Sequence, residues 1–244
     1  MLNGTDSYRS VRECFGSLTL DLLACEAALT STPAHCRRVS QLDQHALIAN
    51  SDAHSAYKLG RECTLFEGEL SFLAFFEAIR SRSSSARLTG TEEYPVAFTR
   101  YWLSWCGDCR RSWDVPPFSP CPTCGHRVAR GARDRIEQLV DRALPPQTIS
   151  FTERLPLYQL IATLAGRLHS TPADGDFSER ILRELGPERI VLNELPYETI
   201  ARASFPRLGE LIVAQRDQSI DFASLAASLD PVETSAPDVQ LSLF

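Results

Sequence analysis

Two hydrophobic periodicities divide the chain. In the second half, apolar residues recur at helical spacing: Ile136, Leu139, Val140 and Ala143 follow i, i+3, i+4, i+7. Pro145 and Pro146 stop that helix, because proline lacks the N–H and clashes with the preceding turn. Leu157, Leu160, Ile161, Leu164 and Leu168 form a second stripe, and Phe177, Ile181, Leu182 and Leu185 a third, ended by Gly186 and Pro187. Two further helices are predicted near residues 198–203 and 208–215. These stripes predict core rather than chemistry, and Gly209 stands alone where a helix-hairpin-helix would carry a glycine pair.

The first part reads differently. The run ALIA, residues 46–49, is closed by polar residues and predicts a short buried strand ending at its loop. Positions i and i+2 of a strand share a side. Asp52 and His54 would therefore face one spot at the strand's C-terminal end, where parallel α/β barrels keep their chemistry. Carboxylate and imidazole ligands suit a divalent metal that activates water or clamps a phosphate. Alone, an Asp-x-His pair describes a polar surface turn equally well.

Composition narrows the classes. The 244 residues, 43% of them hydrophobic, allow one large domain or two to three small ones. A net charge of −6 argues against coating nucleic acid by bulk charge. Its distribution is uneven: residues 99–142 hold eight arginines against five acids, and from residue 219 onward there are four acids and no base. Lys58 is the one lysine and lacks the glycines of a Walker A loop, which excludes a nucleoside-triphosphate-driven motor in this chain. No signal peptide and no membrane-spanning run are legible, so a cytoplasmic, nucleoid-associated location is expected.

Four of the eight cysteines, Cys106, Cys109, Cys121 and Cys124, follow C-x2-C-x11-C-x2-C. Two such knuckles let four thiolates close a tetrahedron around one structural zinc; reduced thiols or an iron–sulfur cluster are the alternatives. Asp108, Pro116 and Pro117 suit the loops of such a ribbon. Cys14, Cys25, Cys36 and Cys63 share no spacing and read as buried thiols. Around the ribbon lie Arg110, Arg111, Arg127, Arg130, Arg133 and Arg135, with Trp102, Trp105 and Trp113. The arginines are candidates for DNA-backbone contact, against a reading as a solvated face. The tryptophans are expected to build the ribbon's small core.

The longer string NSDAHSAYKLGRECTLFEGELS, residues 50–71, resembles the last metal-binding segment of the PHP (polymerase and histidinol phosphatase) family, and more narrowly its endonuclease Q branch. VRECFGSL (residues 11–18), the stretch from Glu26 to Pro33, LDQHALIANSDAH, the cysteine cluster and residues 155–200 fit the same branch. The resemblance implies an enzyme that nicks DNA 5′ of a deaminated base (uracil, hypoxanthine) or an abasic site. It implies a barrel with Zn2+, Mn2+ or Mg2+ in which Asp52 and His54 are catalytic metal ligands. Glu26, following the apolar run 18–24, is carried over as a further candidate ligand.

The chain also departs from that pattern. Its five histidines include no His-x-His pair, which the family carries in its opening segment. Residues 96–105, VAFTRYWLSW, stand where the family tends to have a lysine- and histidine-rich strand. The expected fold is therefore α/β: the C-terminal half of a PHP-type, distorted TIM-like barrel (residues 1–93), a four-Cys zinc ribbon (94–130), a small α-helical domain (131–227) and a disordered tail (228–244). A separate chain could supply the other barrel half. The alternative is a non-catalytic DNA- and clamp-binding adaptor or a gene fragment.

The tail turns to DPVETSAPD, a composition that cannot bury a core. It ends in Gln240, Leu241, Ser242, Leu243 and Phe244, which resembles the motif that docks repair proteins on the bacterial sliding clamp. A flexible tether of this kind would raise the local concentration of the enzyme on encircled DNA. Damaged DNA and the clamp are thus the expected partners, with no membrane and no nucleoside triphosphate.

Overall fold

The structure, a computed structural model, describes residues 8–80, 86–114, 120–144, 149–203 and 205–229. Pro116, Pro117, Pro145, Pro146 and the tail motif Gln240, Leu241, Ser242, Leu243 and Phe244 lie outside them. The chain divides into two compact units: Met1–Asp52 with Gly60–Glu153, and Ala53–Leu59 with Arg154–Phe244. The division passes through the Asp-x-His segment, leaving Asp52 in the first unit and His54 in the second.

In the first unit, β1 (Ala24–Glu26) and β2 (Ala46–Ile48) pair in parallel, with Glu26 opposite Ile48. A second sheet joins β3 (Cys63–Glu67), β4 (Arg87–Glu93) and β7 (Ser150–Glu153); β3–β4 is antiparallel with a register shift between Leu65 and Phe66, and β4–β7 is parallel. Gly90 permits this last pairing, since a Cβ there would lie 2.5 Å from the Ser150 carbonyl oxygen. Among the described residues the strands form two- and three-stranded sheets, not a closed barrel. The fold is α/β.

The helices of this unit are α1 (Val11–Phe15), α2 (Pro33–Cys36), α3 (Phe72–Arg80) and α4 (Ala132–Leu139). α4 is tied to the loop after α2: Arg38 forms a two-pronged pair with Glu137 at 2.6 and 3.1 Å, and Arg142 donates to the Arg37 carbonyl at 2.7 Å. α2 is capped by Thr32 and His35, whose ring stacks 4.9 Å from Trp102. His45 is buried and faces the Leu22 carbonyl at 2.9 Å. These two histidines serve structure.

The second unit is the helical one. It holds α5 (Leu157–Leu164), α6 (Pro172–Leu185), α7 (Glu188–Asn193), α8 (Tyr197–Arg202), α9 (Pro206–Arg216) and α10 (Phe222–Ala227). Leu155, Leu157, Leu160, Ile161, Ile181, Val191, Ile200 and Ile212 form its buried core. The predicted second stripe stops one turn early: Gly166 takes φ 73° and Arg167 N–H bonds back to the Ala162 carbonyl at 2.9 Å, so Leu168 lies past the helix. Buried Gln215 doubles as a backbone partner, accepting from Leu155 N–H at 2.8 Å and donating to the Leu155 carbonyl at 3.1 Å. Buried Asp174 is held by Arg167 at 2.6 and 2.8 Å and by Thr171 N–H at 2.7 Å. No helix of the described residues is long and apolar enough to cross a membrane.

Candidate metal centre

The four cysteines converge. β5 (Ser104–Cys106) and β6 (Arg111–Trp113) form an antiparallel hairpin that carries the first knuckle in its turn. The second knuckle closes on itself: Cys121 N–H reaches the His126 carbonyl at 2.7 Å and Gly125 N–H the Cys121 carbonyl at 2.9 Å. Gly125 takes φ 73°, which costs glycine little. Trp105 and Ala129 exchange backbone bonds at 2.9 and 2.7 Å, bringing the two knuckles together. Val128, Cys106 and Cys121 are buried against Cys109 and Trp113, so the interior of this module is small.

The ligand atoms of Cys106, Cys109, Cys121 and Cys124 lie within 4.8 Å of one another. Sγ of Cys106 and Cys124 are 3.6 Å apart, and those of Cys109 and Cys121 are 3.7 Å apart. A zinc–sulfur bond of about 2.3 Å sets the edge of a tetrahedron at about 3.8 Å, so the donor set fits that ion without rearrangement. A disulfide requires about 2.05 Å, well short of either pair. Burial opposes ionisation of Cys121, but the N–H groups of Cys124 and Thr123 and the neighbouring sulfurs outweigh it and bring its thiol down to about 6. The sulfur contact with Cys124, then burial and the other sulfurs, push Cys109 up to about 12. One thiolate forms readily and the next resists, a conflict that a divalent ion removes.

The ribbon arginines separate into two groups. Arg135 is buried, with its guanidinium on the Tyr8 carbonyl and on Gln138 at 3.2 Å. Arg133 pairs with Asp114, and Arg130 donates to Gln138 at 2.9 Å. For Arg135 the expectation of a DNA-facing side chain is corrected: it is a buried residue of α4, and its guanidinium is taken up by the Tyr8 carbonyl and Gln138. Arg110 and Arg127 are exposed and Arg111 is half-exposed. Trp105 is buried and Trp113 packs on the ribbon core.

The Asp-x-His segment is a loop. β2 ends at Ile48, and Asp52 takes φ 42°, a left-handed conformation that breaks strand alternation. Strand geometry therefore does not make Asp52 and His54 face one spot; both are exposed. Glu26, also exposed, ends β1 and accepts from Asn50 Nδ2 at 3.0 Å, so the loop reaches back to the parallel pair. Among the described residues, two groups of three or more metal-ligating side chains lie close enough to share an ion, and both are in the ribbon; Glu26, Asp52 and His54 belong to neither.

Two buried carboxylates beside this loop were not singled out by sequence. Glu62 accepts from Leu29 N–H at 2.8 Å and Tyr94 N–H at 3.0 Å, while Arg61 holds the Ser51 carbonyl at 2.7 Å. Burial pushes Glu62 up to about 7, and burial with the charges of Glu62 and Glu153 pushes Glu93 up to about 8. The one sequence signal for Glu62 is LGRE, in the segment that carried the family resemblance; Glu93 lies outside that segment.

Residues 37–84, which contain Asp52 and His54, match the PHP-associated family model. More particularly, the chain is similar to two solved endonuclease Q structures. One is the lesion-specific endonuclease PfuEndoQ from Pyrococcus furiosus (27% identity, TM-score 0.67), over 87% of this chain and 54% of that one. The other is endonuclease Q in complex with a 27-mer duplex bearing an abasic lesion at the active site (26% identity, TM-score 0.70), over 87% and 55%. The uncharacterized protein YqxK of Bacillus subtilis is 26% identical over 90% of this chain and 54% of its own length. The chain thus spans about half the length of these relatives.

Proposed function

We propose that this chain is part of a DNA repair endonuclease of the endonuclease Q type, which nicks DNA 5′ of a deaminated base or abasic site. The observation that carries the reading is the similarity, at TM-score 0.70, to endonuclease Q bound to a duplex with an abasic lesion. The β1–β2 pair with its Asp52 loop is read as part of the PHP barrel. There Asp52 and His54, with Glu26, would hold a divalent ion, whose chemistry is to generate a nucleophilic water and stabilise charge on the phosphate. Arg110, Arg111 and Arg127 remain outward candidates for phosphate contact, with Arg130 at the margin. The four-cysteine module is read as a structural zinc ribbon. The tail, through Gln240, Leu241, Ser242, Leu243 and Phe244, is read as the clamp hook.

The test is Asp52→Ala in the chain, with a partner half supplied where one exists. Nicking of uracil-, hypoxanthine- or abasic-site DNA should disappear while DNA affinity stays; unchanged nicking would sink the role of Asp52. Deleting residues 240–244 should abolish co-elution with a bacterial sliding clamp, and persistent co-elution would remove the hook. One observation favours a second reading, a non-catalytic DNA- and clamp-binding adaptor: Asp52 takes a left-handed backbone, and among the described residues Glu26, Asp52 and His54 join no group of metal-ligating side chains. An adaptor would bind lesion DNA with and without Asp52 and nick neither.

A further inference from the structure

Beside the four-thiolate site stands a second set of donors. Asp108, Cys124 and His126 offer a carboxylate oxygen, a sulfur and a ring nitrogen, all within 4.8 Å of one another. Nδ1 of His126 lies 3.2 Å from Oδ2 of Asp108. A metal with bonds of about 2.0–2.1 Å to nitrogen and oxygen sets those ligands about 3.3–3.4 Å apart, so this pair already spans a tetrahedral edge. The arrangement follows from the knuckles: Asp108 sits inside Cys-x2-Cys, and His126 follows Gly125 in the turn behind Cys124. Cys124 is the least buried of the four cysteines, and Asp108 and His126 are exposed. Cys106 and Cys121, by contrast, are buried, and among the described residues neither is grouped with ligands beyond the four cysteines.

We propose that Asp108, Cys124 and His126 form a second metal site, which shares the Cys124 thiolate with the ribbon ion and leaves one position open to water. A thiolate carries enough lone pairs to bridge two ions. Nitrogen, oxygen and sulfur donors with an open position suit a zinc-class divalent ion rather than a hard cation such as Mg2+. The second ion is held at the surface, so it exchanges faster than the first. The site rests on the ribbon reading, because it borrows a ribbon ligand.

The experiment is metal content per chain after equilibrium dialysis of the full chain against zinc, repeated with cobalt to record sulfur-to-metal charge-transfer absorption. The expected result is a first tightly held equivalent and a second weaker one. The second should change the charge-transfer band and be lost in the double variant Asp108→Ala, His126→Ala, which keeps the first. Saturation at one equivalent, a second equivalent that survives in the double variant, or one that leaves the band unchanged would each overturn the site. A wild-type chain that holds no metal overturns the ribbon itself and this site with it. The single variant His126→Gln, which keeps a polar side chain at the surface, guards against mistaking a folding defect for a lost ligand.

Discussion

The ribbon and the helical unit solve the same problem by opposite means. The ribbon has few buried apolar side chains, chiefly Val128 and Trp105, and places four sulfurs at tetrahedral spacing. With so small an interior, its fold would depend on an ion held by these sulfurs. The helical unit buries Leu155, Leu157, Leu160, Ile161, Ile181, Val191, Ile200 and Ile212 and spends its polar groups on one another, Asp174 on Arg167 and Gln215 on Leu155. Metal coordination is local and strong, so a short segment can carry it. Hydrophobic burial is weak per atom and needs many residues, here brought from five helices.

The contrast breaks most sharply with Cys121→Ser. Structural zinc contributes on the order of 10 kcal/mol in small zinc modules, so the ribbon should lose both its metal and its protease resistance. A chelator should do the same, while the melting of the helical unit stays in place. Coincident loss of both in a calorimetric scan would show that the two regions are one cooperative structure.

Arg167→Ala comes next. It leaves the fully buried carboxylate of Asp174 with Thr171 as its remaining partner and no countercharge, and removing one partner of a buried pair costs about 3–5 kcal/mol. The lower end applies, because Arg167 keeps 20% of its side-chain surface in water. Denaturant midpoints measure it, and metal content should not change.

Gly175→Ala has a smaller effect. Its added Cβ would lie 2.5–2.9 Å from the Tyr57 ring, which itself meets Tyr158 edge-on at 5.1 Å. Overpacking of this kind costs about 1–3 kcal/mol. Tyr57→Ala should relieve it, so a double-mutant cycle should show strong coupling. Additive effects would mean that Tyr57 does not pack on α6.

A different lever is a pH slope in the first unit. Glu62 and Glu93, raised by burial to about 7 and about 8, bind protons in the folded state at pH values where the unfolded chain has released them. Stability therefore falls as pH rises from about 4.5 to about 8 through these groups. Asp114, Glu137, Asp141 and Asp221, lowered mainly by hydrogen bonds, act in the opposite sense and below that window. His35, lowered by burial, opposes the slope below its ordinary range, so the difference between wild type and Glu93→Gln isolates the effect. The variant should lose stability less steeply between pH 5 and 8. An unchanged slope would place the Glu93 proton elsewhere.

What could be read from sequence follows the same contrast. The C-x2-C knuckles fix their own geometry, because a thiolate set is specified by ligand type and spacing alone. The stripes at 157–164 and 177–185 were legible because a helix repeats its buried face. Gly166 shortened the second stripe, a turn signal that periodicity does not register. β7 was missed: its four residues, half-buried at the edge of β4, are too short for a period-2 pattern. The Asp-x-His loop was legible as a motif but not as a geometry. Strand alternation was the wrong guide once Asp52 took a left-handed backbone, and Glu62 was hidden because burial of a carboxylate is decided by residues far away in sequence. Arg135 misled for the same reason, as composition does not tell an outward arginine from one that holds the Tyr8 carbonyl.

The most direct measurement is the mapping of cleavage on a duplex carrying a single abasic site, with metal-loaded protein, against an undamaged duplex of the same sequence. A nick on the 5′ side of the lesion, absent from the undamaged strand and from Asp52→Ala, is the predicted result. An intact lesion strand under conditions where the protein demonstrably binds it would contradict the endonuclease account and leave the adaptor in its place.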